Sequence, residues 1–203
     1  MTQRTYANTL FIDGLLDEDW DIITVQQVSH LAPQKATLLD GNLNYLVSYI
    51  NQNKTNKDAE IYYHATWAYA TDHTHYTGSQ PGYEYVNNQA EMDRLIQEGV
   101  DEAILTRSDI AGVIYSGVSI AKAREYATFG TVTVSDAAPK ALYRDGYHLS
   151  PVGRYIIGLT WFGTLSGEDI SNATATSQCG LSGDDLAAAV NAAMVGTAKA
   201  KAD

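Results

Sequence analysis

The stretch "RDGYHLSPVGR" at positions 144–154 sets an aspartate three residues before a histidine, with a serine-proline pair directly after them. A histidine that acts as general base needs one ring nitrogen free to take a nucleophile's proton. A carboxylate on the other nitrogen fixes the tautomer and steadies the imidazolium that forms. Asp145 and His148 are the residue types for that pairing, and their spacing lets both point into one cleft, with Gly146 easing the turn. The bare Asp-x-x-His pattern is short, and a surface aspartate beside a histidine near a helix N-terminus is the structural alternative. Such a base serves a nucleophile. Ser29 follows a strand end and is the substitute candidate, although serines there commonly cap helices or close turns. Ser116 and Ser119 follow a later strand and have less to recommend them, and Ser150 reads as a helix cap.

Three other features have chemical potential. The loop "TDHTH" carries Asp72, His73 and His75. A His-x-His pair binds zinc when a third ligand converges on it, whereas exposed loop histidines are the commoner case. His64 reads as aromatic packing within a strand, while Trp67 and Tyr69 at its end are candidates for the wall of an acyl or sugar pocket. Cys179 is the only cysteine, which excludes an internal disulfide and a Cys-rich metal cluster and leaves a small polarizable side chain in a C-terminal loop as its reading.

The chain's 203 residues are enough for one domain with a buried core. Charged residues are 18% and hydrophobic residues 45%, a globular balance rather than a disordered one. A net charge of -11 repels phosphates, so no nucleic-acid or anionic-membrane partner is expected. No apolar run is long enough to span a bilayer, and "MTQRTYANTLF" lacks the apolar stretch of a signal peptide.

Elements must position these residues. "DIITVQ" at 21–26 reads as a buried strand, and 36–52 as a helix with Leu39, Leu43, Leu46, Val47 and Ile50 on one face. "EIYYHATWAY" at 60–69 is a second strand, followed by a long Gly- and Pro-containing loop. A helix over 87–106 has an apolar face that drifts along its length. "AGVIYSG" at 111–117 is a third strand and "SIAKAREYA" at 119–127 a helix. Ser150 and Pro151 then open a helix whose interior Gly158 suggests close packing on a neighbour. A last helix covers about 183–196, with residues 197–203 as a disordered tail. Alternating strands and helices predict a parallel sheet with helices on both faces and a ligand cleft at the carboxyl ends of the strands. Those ends are "QQVSH", "ATWAY" and "YSGVS", joined by the Asp145–His148 loop.

"WDIITVQQVSH", "YHATWAY", "VIYSGVSIAKAR" and "LYRDGYHLSPVGRYIIGLTWF" together resemble the SGNH (GDSL-like) hydrolase superfamily, and most of all a bacterial branch of it known as a domain of unknown function. The resemblance runs from about residue 16 to about 196, and "DGYHLS…GRY" is its most specific part. It implies a flavodoxin-like three-layer α/β/α sandwich and hydrolysis of acyl esters through a serine acyl-enzyme, with no metal or organic cofactor. Asp145 and His148 match its last motif position for position. Its Gln-rich esterase branches imply that Gln26 or Gln27 donates an amide N–H to the oxyanion, against the plainer reading of polar residues closing a strand. The departure lies at the other end. The superfamily sets its nucleophile in a Gly-Asp-Ser-like motif on the first strand, and the 20 residues before "DIITVQ" contain no serine.

The expectation is therefore a single SGNH-hydrolase-like domain over 1–196, truncated at its N-terminus and inactive alone. In the complete protein it would be a carbohydrate or acyl esterase acting on a small-molecule or glycan ester. The alternatives are a non-catalytic glycan-binding module, or a gene fragment whose unpaired strand at 21–26 favours aggregation. Relatives of this type are secreted or displayed at the cell surface, with a cytoplasmic location as the alternative.

Overall fold

The computed structural model describes residues 10–77, 86–175 and 177–203. Among them, β1 (Ile22–Val25), β2 (Glu60–His64) and β3 (Gly112–Ile114) form a parallel sheet in that order. Register pairs Ile23 with Ile61, Val25 with Tyr63, and Tyr63 with Val113, so these side chains share one face. That face joins a cluster with Leu43, Val47 and Ile50 of α3 (Asn42–Asn53) and with Val100, Ala103 and Ile104. The other face carries Tyr62, His64, Gly112 and Ile114. There α6 (Pro151–Ser166) sets Trp161 edge-on against His64, with ring centroids 4.8 Å apart. The last helix, α7 (Gly183–Ala202), packs on β3, α6 and α5 (Ser116–Ala123). The result is a mixed α/β fold with helices on both sides of the sheet, compatible with three layers.

Several elements differ from their sequence expectations for local reasons. Residues 36–52 are two helices, α2 (Ala36–Leu39) and α3, with α1 (Phe11–Leu16) ahead of β1. The break is Asp40-Gly41: Gly41 takes φ +95°, and the Asp40 carboxylate accepts from the Asn42 backbone and side chain. The strand expected over 60–69 stops at His64 because its partner β3 ends at Ile114 and turns at once into α5. Ser116 opens that helix rather than ending the strand. The helix expected over 87–106 is α4 (Gln89–Gly99), capped by Asn88, and passes into a π-helical turn at Val100–Ile104. The wider turn rotates the following side chains, which explains the drifting apolar face.

Ser150 caps α6 as expected, its hydroxyl accepting from the Gly153 N–H. Gly158, by contrast, has no neighbour within 4 Å of where a Cβ would stand, so the expected close packing is not there. The tail expected to be disordered is instead helical to Ala202. Thr197 is buried, and the Asp203 carboxylate accepts a hydrogen bond from Tyr115 and pairs with Lys199. Cys179 is buried in the cluster that α6 and α7 share. Among the described residues no helix is long and apolar enough to cross a membrane. Residues 78–85 of the Gly- and Pro-containing loop lie outside the described residues.

Candidate functional site

The Asp145–His148 loop is a closed turn. Tyr143 bridges Leu149 in antiparallel fashion, the Arg144 N–H donates to the His148 carbonyl at 2.7 Å, and the Ser150 N–H donates to the Leu142 carbonyl. Gly146 sits at its tip with φ +90°, and a Cβ there would come within 2.6 Å of the His73 ring. Both constraints require glycine. Two contacts hold the turn to the segment that follows β2. The Ala70 N–H donates to the Gly146 carbonyl, and the Trp67 indole N–H donates to the Tyr147 carbonyl at 2.8 Å.

In this turn the Asp145 carboxylate meets His148 twice. Its oxygens lie 2.9 and 3.1 Å from Nδ1, and one also accepts the His148 backbone N–H at 2.9 Å. A carboxylate only accepts, so Nδ1 is the donor in this contact, and Nε2 is the ring nitrogen left to face away from Asp145. Partial desolvation pushes the Asp145 carboxyl up. The His148 ring and backbone N–H and the Arg144 guanidinium outweigh it and hold the group well below the usual carboxylate range. Asp145 therefore stays ionised beside His148. Both side chains are about half exposed, and among the described residues no hydrogen bond to Nε2 is formed.

The remaining candidates divide by partner. The Ser29 hydroxyl meets the Tyr69 phenol at 2.9 Å, not His148. Tyr69 is buried, and its ring lies 5.7 Å from that of Tyr147, which in turn lies 4.0 Å from His148. Tyr69 thus supports the turn from beneath, while half-buried Trp67 is nearer the surface. Gln27 is engaged on both sides: its amide N–H donates to the Thr37 hydroxyl at 2.9 Å and its oxygen accepts the Val28 N–H at 2.8 Å. Gln26 is different. Its oxygen meets Nδ1 of His64 at 2.7 Å, and its Nε2 makes no hydrogen bond among the described residues. Asp72 accepts from the Thr133 backbone and hydroxyl, and Nδ1 of His73 accepts the His75 N–H. Among the described residues no group of three or more His, Cys, Asp or Glu side chains is placed to hold a metal ion.

His64 and Ser116 are the residues whose place the sequence does not reveal. Nε2 of His64 lies 2.8 Å from the fully buried Ser116 hydroxyl, which also accepts the Trp161 indole N–H at 3.2 Å. Burial pushes the His64 imidazole down to about 4, so it is neutral at ordinary pH. The serine at the start of a helix directly after a strand was the one available signal. Nothing in the spacing points it at a histidine 52 residues earlier.

A family model described as "Domain of unknown function (DUF4886)" matches residues 2–194. A crystal structure of a DUF4886 family protein from Bacteroides uniformis is similar at 32% identity and a TM-score of 0.73. The match covers 91% of this chain and 65% of that one, so this chain spans less than two thirds of the relative's length. No protein among the curated ones matches. With the family model matching residues 2–194 and a family member's structure similar over 91% of the chain, the chain belongs to the DUF4886 family.

Proposed function

We propose that this chain carries the base and its orienting acid for an SGNH-type serine ester hydrolase acting on a carbohydrate or other acyl ester. The observation that carries the reading is the Asp145–His148 pair, with Nδ1–H held by an ionised carboxylate and Nε2 directed away from it. In that reading Nε2 of His148 takes the proton of a serine hydroxyl as its oxygen attacks the acyl carbon. Asp145 stabilises the resulting imidazolium. The proton then passes to the departing alkoxide oxygen. Water, activated by the same nitrogen, hydrolyses the acyl-serine. The Gln26 amide, at the carboxyl end of β1, supplies an N–H to the tetrahedral oxyanion. Gln27 is the poorer donor, because Thr37 holds one of its two amide N–H groups and the Val28 N–H holds its oxygen.

The serine in this reading comes from outside the described residues. Two features support that. The described serines near the strand ends are engaged elsewhere, Ser29 with Tyr69 and Ser116 with His64. Among the described residues β1 also pairs on one side only, and an apolar groove lined by Leu10, Phe11, Leu15, Trp20, Ile22 and Ile23 lies along it. The test measures hydrolysis of p-nitrophenyl acetate and acetylated sugars by this chain and by any longer form of the protein. Turnover that disappears in His148→Ala is expected in at least one of them. Hydrolysis by the 203-residue chain that disappears in His148→Ala would put the nucleophile inside it, with Ser29→Ala as the next variant. No turnover in either form sinks the esterase reading.

The aromatic group of Trp67, Tyr147 and His73 around the turn favours a second reading, a glycan-binding module that does not cleave. Binding of polysaccharide without turnover, lost in Trp67→Ala, would support it over catalysis.

A further inference from the structure

We infer that His64, Ser116 and Trp161 are positioning residues, a buried donor chain that fixes which way the Gln26 amide faces. The inference rests on the esterase reading for its purpose, but its geometry stands apart from it. The chain has only one consistent set of donors. Indole N–H always donates, so Trp161 donates to the Ser116 oxygen. The Gln26 oxygen always accepts, so Nδ1 of His64 must carry the proton that meets it. A neutral imidazole has one N–H, so Nε2 is the acceptor and Ser116 donates its hydroxyl proton there. Every polar atom in the series Trp161, Ser116, His64 and the Gln26 oxygen is thereby matched.

The consequence falls on the outer end. With its oxygen held inward by His64, Gln26 must turn its N–H2 outward at the carboxyl end of β1. A free glutamine amide presents oxygen or nitrogen with similar ease, and an oxygen facing a developing oxyanion repels it. The buried chain removes that alternative. Burial of Ser116 excludes it from attack on a substrate and suits it to this supporting part. Trp67 touches both halves of the site. Its ring lies 6.1 Å from that of His64, and its indole N–H holds the Tyr147 carbonyl beside His148.

The test uses the 203-residue chain with nitrogen-15 labels on histidine and glutamine side chains, and sodium acetate as a probe for a product carboxylate. His64 is expected as the neutral Nδ1–H tautomer, switching to Nε2–H in Gln26→Leu once its acceptor is gone. Acetate is expected to shift the side-chain amide of Gln26 and leave that of Gln27 in place. The shift should vanish in His64→Leu and return in His64→Asn, whose amide N–H can replace Nδ1–H. An Nε2–H tautomer in the parent chain, or acetate acting on Gln27 alone, overturns the inference. In a form of the protein that turns over ester, Gln26→Leu should lower kcat roughly 100- to 1,000-fold with KM little changed, the loss typical of one oxyanion donor. An unchanged kcat would also overturn it. If no form of the protein turns over ester while the tautomer and the acetate shift are as expected, the esterase reading fails and the positioning chain stands.

Discussion

His64 is buried as a neutral imidazole, and that has a measurable cost at low pH. Its pKa falls from 6.5 to about 4 on folding because burial disfavours the charged ring. The unfolded chain therefore binds more protons than the folded one between those values. The stability that His64 permits is complete above pH 6.5 and is lost as pH falls towards 4. At 1.36 kcal/mol per unit, the shift corresponds to a loss of about 3 kcal/mol below the folded value and about 2 kcal/mol near pH 5. Carboxylates also titrate in this range, so the perturbation must isolate one ring. His64→Asn does so: it does not titrate, and its amide can still donate to Gln26. Urea unfolding of the two proteins, followed by tryptophan fluorescence at about pH 7.5 and about pH 5, gives two stability differences. The advantage of the parent over His64→Asn should shrink by about 2 kcal/mol on acidification. A difference that stays constant would refute the burial of a neutral His64 beneath Trp161.

Three further outcomes follow from the packing. Gly158→Ala should raise stability by up to about 1 kcal/mol in thermal or urea unfolding, since the site is an exposed helix interior with open space for a methyl group. Gly146→Ala should cost roughly 1–3 kcal/mol, because alanine resists the positive φ and its methyl meets the His73 ring. Arg124→Met should cost about 3–5 kcal/mol by the same assay, because it strands the Asp93 carboxylate, whose pKa burial already raises, without its largely buried cation.

How much of this was legible depends on range along the chain. The Ser150–Pro151 helix start is readable because the cap and its acceptor lie three residues apart. The Asp145–His148 pairing is readable for the same reason, and the turn that closes around it uses neighbours within a few residues. The break at Asp40-Gly41 also had its signal, an Asp-Gly pair that the leucine periodicity obscured. The helical tail had none. Its order comes from Tyr115 reaching Asp203 across 88 residues and from Thr197 packing against Gly163. The same applies to the site. Gln26 and Gln27 are indistinguishable as neighbours in "QQVSH", and only their partners separate them: His64 holds Gln26 by its oxygen alone, whereas Thr37 and the Val28 N–H hold Gln27 at both nitrogen and oxygen.

The most direct measurement is kcat/KM for p-nitrophenyl acetate in the form of the protein that turns the ester over, parent against His148→Ala. A general base at that position should make the variant roughly 100- to 10,000-fold slower, with Asp145→Asn also impaired. Equal rates in parent and His148→Ala would show that the Asp145–His148 turn is not the site of ester hydrolysis.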